Sequence, residues 1–326
     1  MFKTKYSRHG IALFCGLIFL LTTLSALIVV AKHSDLQSVN RVQSYGLQFN
    51  DELGLAMTRL QSKYRHKRKA LTDIENLEVD RQVDSILASN LSTSEKDELL
   101  LPFGVIRVDT GVQNQSKIYK DTDISSTDEN LTRLGTSDVH FDSLLIYYNS
   151  GAGNWILNGG GYISGQPSWK APFWSVPTTG DQFDVGGLDG FGISLHDTFG
   201  SFDGVSMVSG SATFSNPEFN YSQTTQNRVT GASSYGAGFL LQDKVIITKW
   251  NIFQYWWTFL TRYFSVTLRY SSNFSNYRGN AVTFYAHSWQ STSITGIGLS
   301  IVGFDISWSG NDNEKWKISP TIDTPF

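Results

Sequence analysis

Five carboxylates fall in one glycine-rich stretch, residues 180–204 (GDQFDVGGLDGFGISLHDTFGSFDG): Asp181, Asp184, Asp189, Asp197 and Asp203. Calcium takes about six to eight oxygen ligands from carboxylates and backbone carbonyls on pliable chain, and this stretch offers both. Calcium is therefore the one cofactor the residues suggest, with Asp181, Asp184 and Asp189 as its ligands. The spacing is not that of an EF-hand loop, and Asp-Gly pairs are equally ordinary turn formers.

Two histidines stand beside carboxylates, His140 near Asp142 and His196 next to Asp197. Such pairs suit acid–base or metal chemistry, and they equally suit a satisfied structural role. No Gly-x-Ser-x-Gly elbow, His-Glu-x-x-His pair, phosphate-binding glycine loop or dinucleotide fingerprint occurs. The chain reads as a non-enzyme; a tethered hydrolase built on His196 is the opposing reading. A single cysteine, Cys15, lies in the first apolar run, so no disulfide or thiolate site can form within the rest of the chain. A formal charge of -3 carries no polybasic excess, which argues against nucleic acid as a partner. All 9 tryptophans lie beyond residue 136. Among the aromatics there, Trp155, Tyr162, Trp169 and Trp174 are the candidates for stacking on sugar rings, since a flat apolar face with a polar edge suits a pyranose.

The elements that must carry these groups change character along the chain. Residues 1–10 (MFKTKYSRHG) are basic, and residues 11–31 hold no charge, long enough as a helix to cross a hydrocarbon core of roughly 30 Å. The basic flank predicts a cytoplasmic N-terminus with the remainder outside the membrane. A cleaved secretory signal is the rival, but its apolar core is normally shorter. Residues 32–101 show helical spacing and contain no proline, predicting a helical spine or stalk. Ser92 followed by Glu95 predicts the start of a new short helix. Residues 102–135 read as a polar linker.

From about residue 136 the pattern becomes short alternating runs, over 141–148, 155–163, 205–214, 235–241, 245–250, 264–270, 281–289 and 294–304. Gly, Asn, Ser and Pro clusters separate them, the signature of a sandwich or jelly roll. The segment 250–264 (WNIFQYWWTFLTRYF) reads as a strand pair buried on both faces, with an exposed aromatic surface or an amphipathic helix as alternatives. The expected fold class is α+β: a long N-terminal membrane-anchored helix followed by a mostly antiparallel β-sandwich or jelly-roll-like domain over 136–326.

The N-terminus resembles a type IV prepilin. The residues that carry the likeness are the basic leader ending in Gly10 and the apolar run IALFCGLIFLLTTLSALIVVA that follows, continued by VQSYGLQFNDELGLAMTRLQ. The resemblance implies cleavage between Gly10 and Ile11, methylation of the new N-terminus and packing of the apolar helix against other pilin-like subunits. Pilins of the shaft carry Glu as the fifth residue after the cut, where this chain has Cys15, which points to a minor pilin or pseudopilin at a filament tip. On this reading the protein is anchored once in the inner membrane, with its β domain periplasmic or extracellular and available to a surface glycan or host receptor. The alternative is a single-pass attachment or envelope protein, of viral type, with an uncut anchor and an oligomerising stalk.

Overall fold

The computed structural model describes residues 62–69, 71–108, 117–121, 134–166, 169, 177–196, 205–229, 234–251, 254–277, 280–289, 292–300, 303–310 and 315–321. The expected leader, the Gly10–Ile11 junction, the apolar run 11–31 and the spine as far as residue 61 lie outside the described residues.

The described chain begins in short helices. Residues 62–69 are helical, followed by α1 (Asp73–Ala88) and α2 (Thr93–Leu100). Each labelled helix opens on a reciprocal cap. The Glu75 N–H donates to the Thr72 hydroxyl while the Thr72 N–H donates to the Glu75 carboxylate, and Ser92 and Glu95 repeat the arrangement. Thr72, Ser89 and Ser92 are all extended, so helical hydrogen bonding stops and restarts at these points. The stretch expected as spine is therefore, from residue 62 onward, a series of short helices broken at Thr72, Ser89 and Ser92.

Fifteen strands follow among the described residues. The first five are β1 (Val105–Arg107), β2 (Lys117–Asp121), β3 (Val139–Phe141), β4 (Leu145–Asn149) and β5 (Asn154–Ile163). Next come β6 (Gln182–His196), β7 (Met207–Asn216), β8 (Tyr221–Thr225), β9 (Gly236–Asn251) and β10 (Gln254–Phe259). The last are β11 (Tyr263–Tyr270), β12 (Asn280–Ser288), β13 (Ser293–Ser300), β14 (Gly303–Ser309) and β15 (Lys315–Thr321). The α+β expectation is overturned: the described chain is mostly β, its sheets are antiparallel, and no helix in it is long and apolar enough to cross a membrane. Physically, the capped helices are too short and too charged to form a layer of their own, and they pack as an appendage of a sheet.

One sheet has the order β1-β4-β5-β11-β7-β8, with β3 also paired to β5, and the other the order β10-β9-β6-β12-β15-β2. Residues 102–135, read as a linker, give an edge strand to each: β1 pairs β4, and β2 pairs β15. Strand alternation sends Trp155 and Leu157 of β5 inward with Phe264 and Val266 of β11. The second sheet meets them through Phe191 of β6, whose ring centroid lies 4.7 Å from Phe214 of β7 and 5.7 Å from Phe264. The outer face of the first sheet is half covered, because Val83 and Leu87 of α1 and Leu100 of α2 pack on Tyr147 of β4 and Ile156 of β5. Asp84 anchors the same helix through a 2.5 Å ion pair with Arg269 of β11. The β13–β14 hairpin covers the second sheet's outer face, laying Ile294, Ile297 and Ile306 on Phe284 and Ala286 of β12. Within the aromatic segment 250–264, Trp250 and Asn251 end β9, Gln254–Phe259 form edge strand β10 and Tyr263 and Phe264 begin β11. The segment is not buried on both faces: Trp256 is 39 % exposed, with the Lys249 ammonium 5.0 Å from its ring centroid.

Candidate functional site

The outer face of β5 runs from covered to open. Ile156 lies beneath α1 and α2, Asn158 is buried, Gly160 has no side chain, and Tyr162 is 40 % exposed. A cleft of about 440 Å³ opens there, between the α1–α2 turn and the strands β5 and β11. Its wall is Ser89 to Thr93 with Lys96, its floor Asn158 to Gly161 and Ser265, and its rim Tyr162, Tyr263 and Asp142.

The floor is fixed by hydrogen bonds along the sheet. The Asn158 amide donates at 3.2 Å to the Ser265 hydroxyl, the Val266 carbonyl and the Thr267 hydroxyl. At the rim, Tyr162 stacks on His140 with centroids 4.6 Å apart and planes 16° apart, and Tyr263 sits 6.4 Å away. The His140 ring is held in turn by Ser164 at 2.9 Å. Lys96, buried, donates its ammonium to the Leu87 carbonyl at 2.9 Å, near the C-terminal end of α1. Burial pushes its pKa down while Asp142 holds it up; desolvation raises the Asp142 carboxyl and Lys96 opposes that.

Of the expected stacking aromatics among the described residues, Tyr162 lines this cleft. Trp155 is 1 % exposed and belongs to the core, tilted against Tyr148 at 5.1 Å, because the phase of β5 that exposes Tyr162 turns residue 155 inward. Trp169 is half-buried in an aromatic cluster with Phe183, Tyr255 and Trp257. Trp174 lies outside the described residues.

The three expected calcium ligands are not brought together. Asp181 accepts the Thr178 N–H at 2.7 Å in the turn before β6, and Asp184 points outward to the Lys244 ammonium at 2.5 Å. Asp189 is fully buried. Between Asp184 and Leu188 the β6–β9 register slips, so Val185, Gly186 and Gly187 stand opposite Asp243 alone. Gly186 adopts φ +60°, open to glycine, and the bulge re-aims the strand. The odd-numbered side chains face inward on both sides of it, Val185 before and Asp189, Phe191 and Ile193 after.

There Asp189 meets two residues that sequence reasoning did not single out, Asp243 of β9 and His287 of β12. The ligand-type atoms of the three lie within 4.8 Å of one another. His287 Nδ1 is 2.9 and 3.0 Å from the Asp189 oxygens, the Ser288 N–H donates to Asp189 at 3.2 Å, and the Tyr285 hydroxyl donates to the same carboxylate. Burial, then the Asp189 charge, pushes the Asp243 carboxyl well above the ordinary range. Burial chiefly, with help from both carboxylates, raises Tyr285. A signal for both missed residues exists in phase. Asp243 sits in register with Ala237, Phe239, Leu241, Val245 and Ile247, all buried, and His287 with Ala281 and Tyr285. His196 ends β6: desolvation lowers its pKa, its carbonyl accepts the Tyr277 hydroxyl, and Asp197 and Asp203 lie outside the described residues.

No family model and no curated protein sequence matches the chain. Among solved structures it is similar to the Clostridium perfringens delta-toxin at 10% identity, covering 68% of this chain and 90% of the toxin, with a TM-score of 0.18. A likeness that slight carries no argument about fold or activity.

Proposed function

We propose that the β half is a non-catalytic recognition domain that binds a saccharide in the cleft beside Tyr162, displayed outside the membrane on an N-terminal anchor. One observation carries the ligand site. A 40 % exposed tyrosine stands at the rim of a 440 Å³ cleft whose floor, at Gly160, presents no side chain. Small-ligand sites combine that concavity with an apolar face and a few placed polar groups, supplied here by Tyr263, Asp142, Ser143 and Ser265. Lys96, the cation in the cleft wall, is already committed to the Leu87 carbonyl, and the wall hydroxyl of Ser92 is committed with Glu95 to the cap of α2. Those features favour binding over turnover.

The anchor rests on the sequence alone: the basic leader, Gly10 and the apolar run beyond it resemble a prepilin, which makes the chain a minor pilin at a filament tip. N-terminal sequencing of the membrane form tests this part, with Ile11 as the expected first residue. An uncut Met1 favours the attachment-protein alternative and leaves the cleft untouched. Saturation-transfer NMR of the full-length protein against neutral and acidic oligosaccharides tests the ligand. Transfer to at least one saccharide that vanishes in Tyr162→Ala is expected; no transfer to any in the wild type defeats the reading.

A further inference from the structure

We propose that Asp189, Asp243 and His287 form a buried binding site for one divalent transition-metal ion of the zinc type, set between the two sheets and separate from the cleft. Three adjacent strands of one sheet each supply one metal-ligating side chain: Asp189 from β6, Asp243 from the neighbouring β9 and His287 from the neighbouring β12. The two carboxylates are 0 % exposed and the imidazole 2 %. Burying two carboxylates side by side is costly unless a positive charge joins them, and an imidazole that hydrogen-bonds to Asp189 supplies at most one.

The unpartnered atom points to what is shared. Asp243 Oδ2 has no hydrogen-bond partner among the described residues although it is sealed from water. It aims at His287 Nδ1 across 3.9 Å, too far for a hydrogen bond. Two donors held about 2.0–2.2 Å from a common ion lie roughly 3 to 4 Å apart, depending on the angle between them. The Asp189 oxygens, 2.9 and 3.0 Å from the same nitrogen, fall at the near end of that range.

The surroundings hold the donors in place. The Gln242 amide donates to Asp243 Oδ1 at 3.3 Å and to the Val185 and Gly187 carbonyls of the bulge at 3.2 Å, which turns Oδ2 toward the histidine. Tyr285 and the Ser288 N–H steady Asp189 from the other side. Outer hydrogen bonds of this kind orient the carboxylates of metal centres. The donor set selects the ion. An imidazole nitrogen with carboxylate oxygens suits zinc and its neighbours, whereas calcium requires an all-oxygen shell of higher number.

The test uses full-length protein in detergent, purified without chelator, incubated with ZnCl2 and dialysed. About one zinc per chain by plasma mass spectrometry is expected, with a melting temperature that falls when a strong chelator strips the metal and returns on readdition of Zn2+. Asp243→Asn keeps the shape and removes the charge. It should hold less than about a tenth of the wild-type zinc and melt at a temperature that neither Zn2+ nor chelator changes. Wild-type protein without bound zinc and with a melting temperature indifferent to Zn2+ overturns the proposal, and the pair then shares a proton instead. Wild-type stoichiometry retained in Asp243→Asn places the ion elsewhere and overturns it too, as does a response to CaCl2 alone. Should Asp243→Asn not fold, His287→Gln takes its place, and the wild-type zinc content and chelator response still decide.

Discussion

Tyr162, at the outer cleft, keeps 40 % of its surface in water, and the polar groups around it hydrogen-bond sideways along a sheet; at the inner cluster Asp189 and Asp243 keep none. Both hollows depend on glycines placed inside strands, to opposite effect. Gly160 on β5 withholds a side chain and leaves a gap open to solvent. Gly186 and Gly187 on β6 let the backbone bulge opposite Asp243, while plain alternation puts Asp184 on the wet face and Asp189 on the dry one. A polar group at the first place is free to meet a ligand and contributes little to folding. At the second, every partner counts, because an unmet hydrogen bond there cannot be repaired by water.

Asp189→Ala should expose that difference most strongly. It removes the carboxylate that the Tyr285 hydroxyl, the Ser288 N–H and His287 meet in the core while leaving Asp243 beside them. Removing one member of such a buried charged network costs about 3–5 kcal/mol. Urea unfolding of the variant is expected to show a loss of that size with an unchanged slope. A loss under about 1 kcal/mol would mean that water reaches the cluster, and the contrast between the two hollows would collapse.

Glycine substitution asks the next question, whether the cleft floor is as tightly specified as the core. A Cβ on Gly160 would lie 2.4 Å from the Phe264 carbonyl oxygen, a backbone atom that cannot swing aside. Gly160→Ala is expected to cost about 1–3 kcal/mol. Gly296 on β13 serves as the control, since an added Cβ meets only Ser307 at 3.7 Å. Gly296→Ala should leave stability unchanged or raise it by up to about 1 kcal/mol, through the unfolded chain. Equal thermal shifts for the two variants would show that the Gly160 gap is incidental.

How much of this was legible in sequence follows from the same contrast. The β-rich half announced itself in alternation, and Ser92 with Glu95 marked the start of α2, because both signals are local. The cleft was half legible: Tyr162 was a candidate, but so was Trp155 on the same strand, and only the phase of β5 against the second sheet separates the exposed ring from the core one. Asp243 was hidden for a specific reason. The runs 235–241 and 245–250 looked like two strands with Gln242-Asp243-Lys244 as the break, whereas β9 runs through all of them as Gly236–Asn251. A carboxylate in an inward phase reads as a turn until a bulge and a histidine from a strand distant in sequence are known to face it. The α+β expectation failed because helical periodicity says where a helix can form and nothing about what interrupts it; the Thr72–Glu75 cap, which was not singled out, does that at the start of α1.

The smallest expected effect on stability belongs to Tyr162→Ala. The ring already lies partly in water, and its contacts are the stacked His140 and the tilted Tyr263, both at the same rim. Truncation removes contacts on the outer face of the sheet and leaves the Phe264 side of β11 packed as before, so a change within about 0.5 kcal/mol is expected, the range of ordinary surface substitutions. Unfolding curves of variant and wild type should superimpose while saccharide contact in the NMR experiment is lost. Binding and stability are then separable at the cleft, which the inner cluster does not allow, since there the atoms that would hold a ligand also tie neighbouring strands together. A Tyr162→Ala variant that unfolds with a penalty of 2 kcal/mol or more would place the tyrosine in the structural framework, and the recognition surface would have to be sought away from this rim.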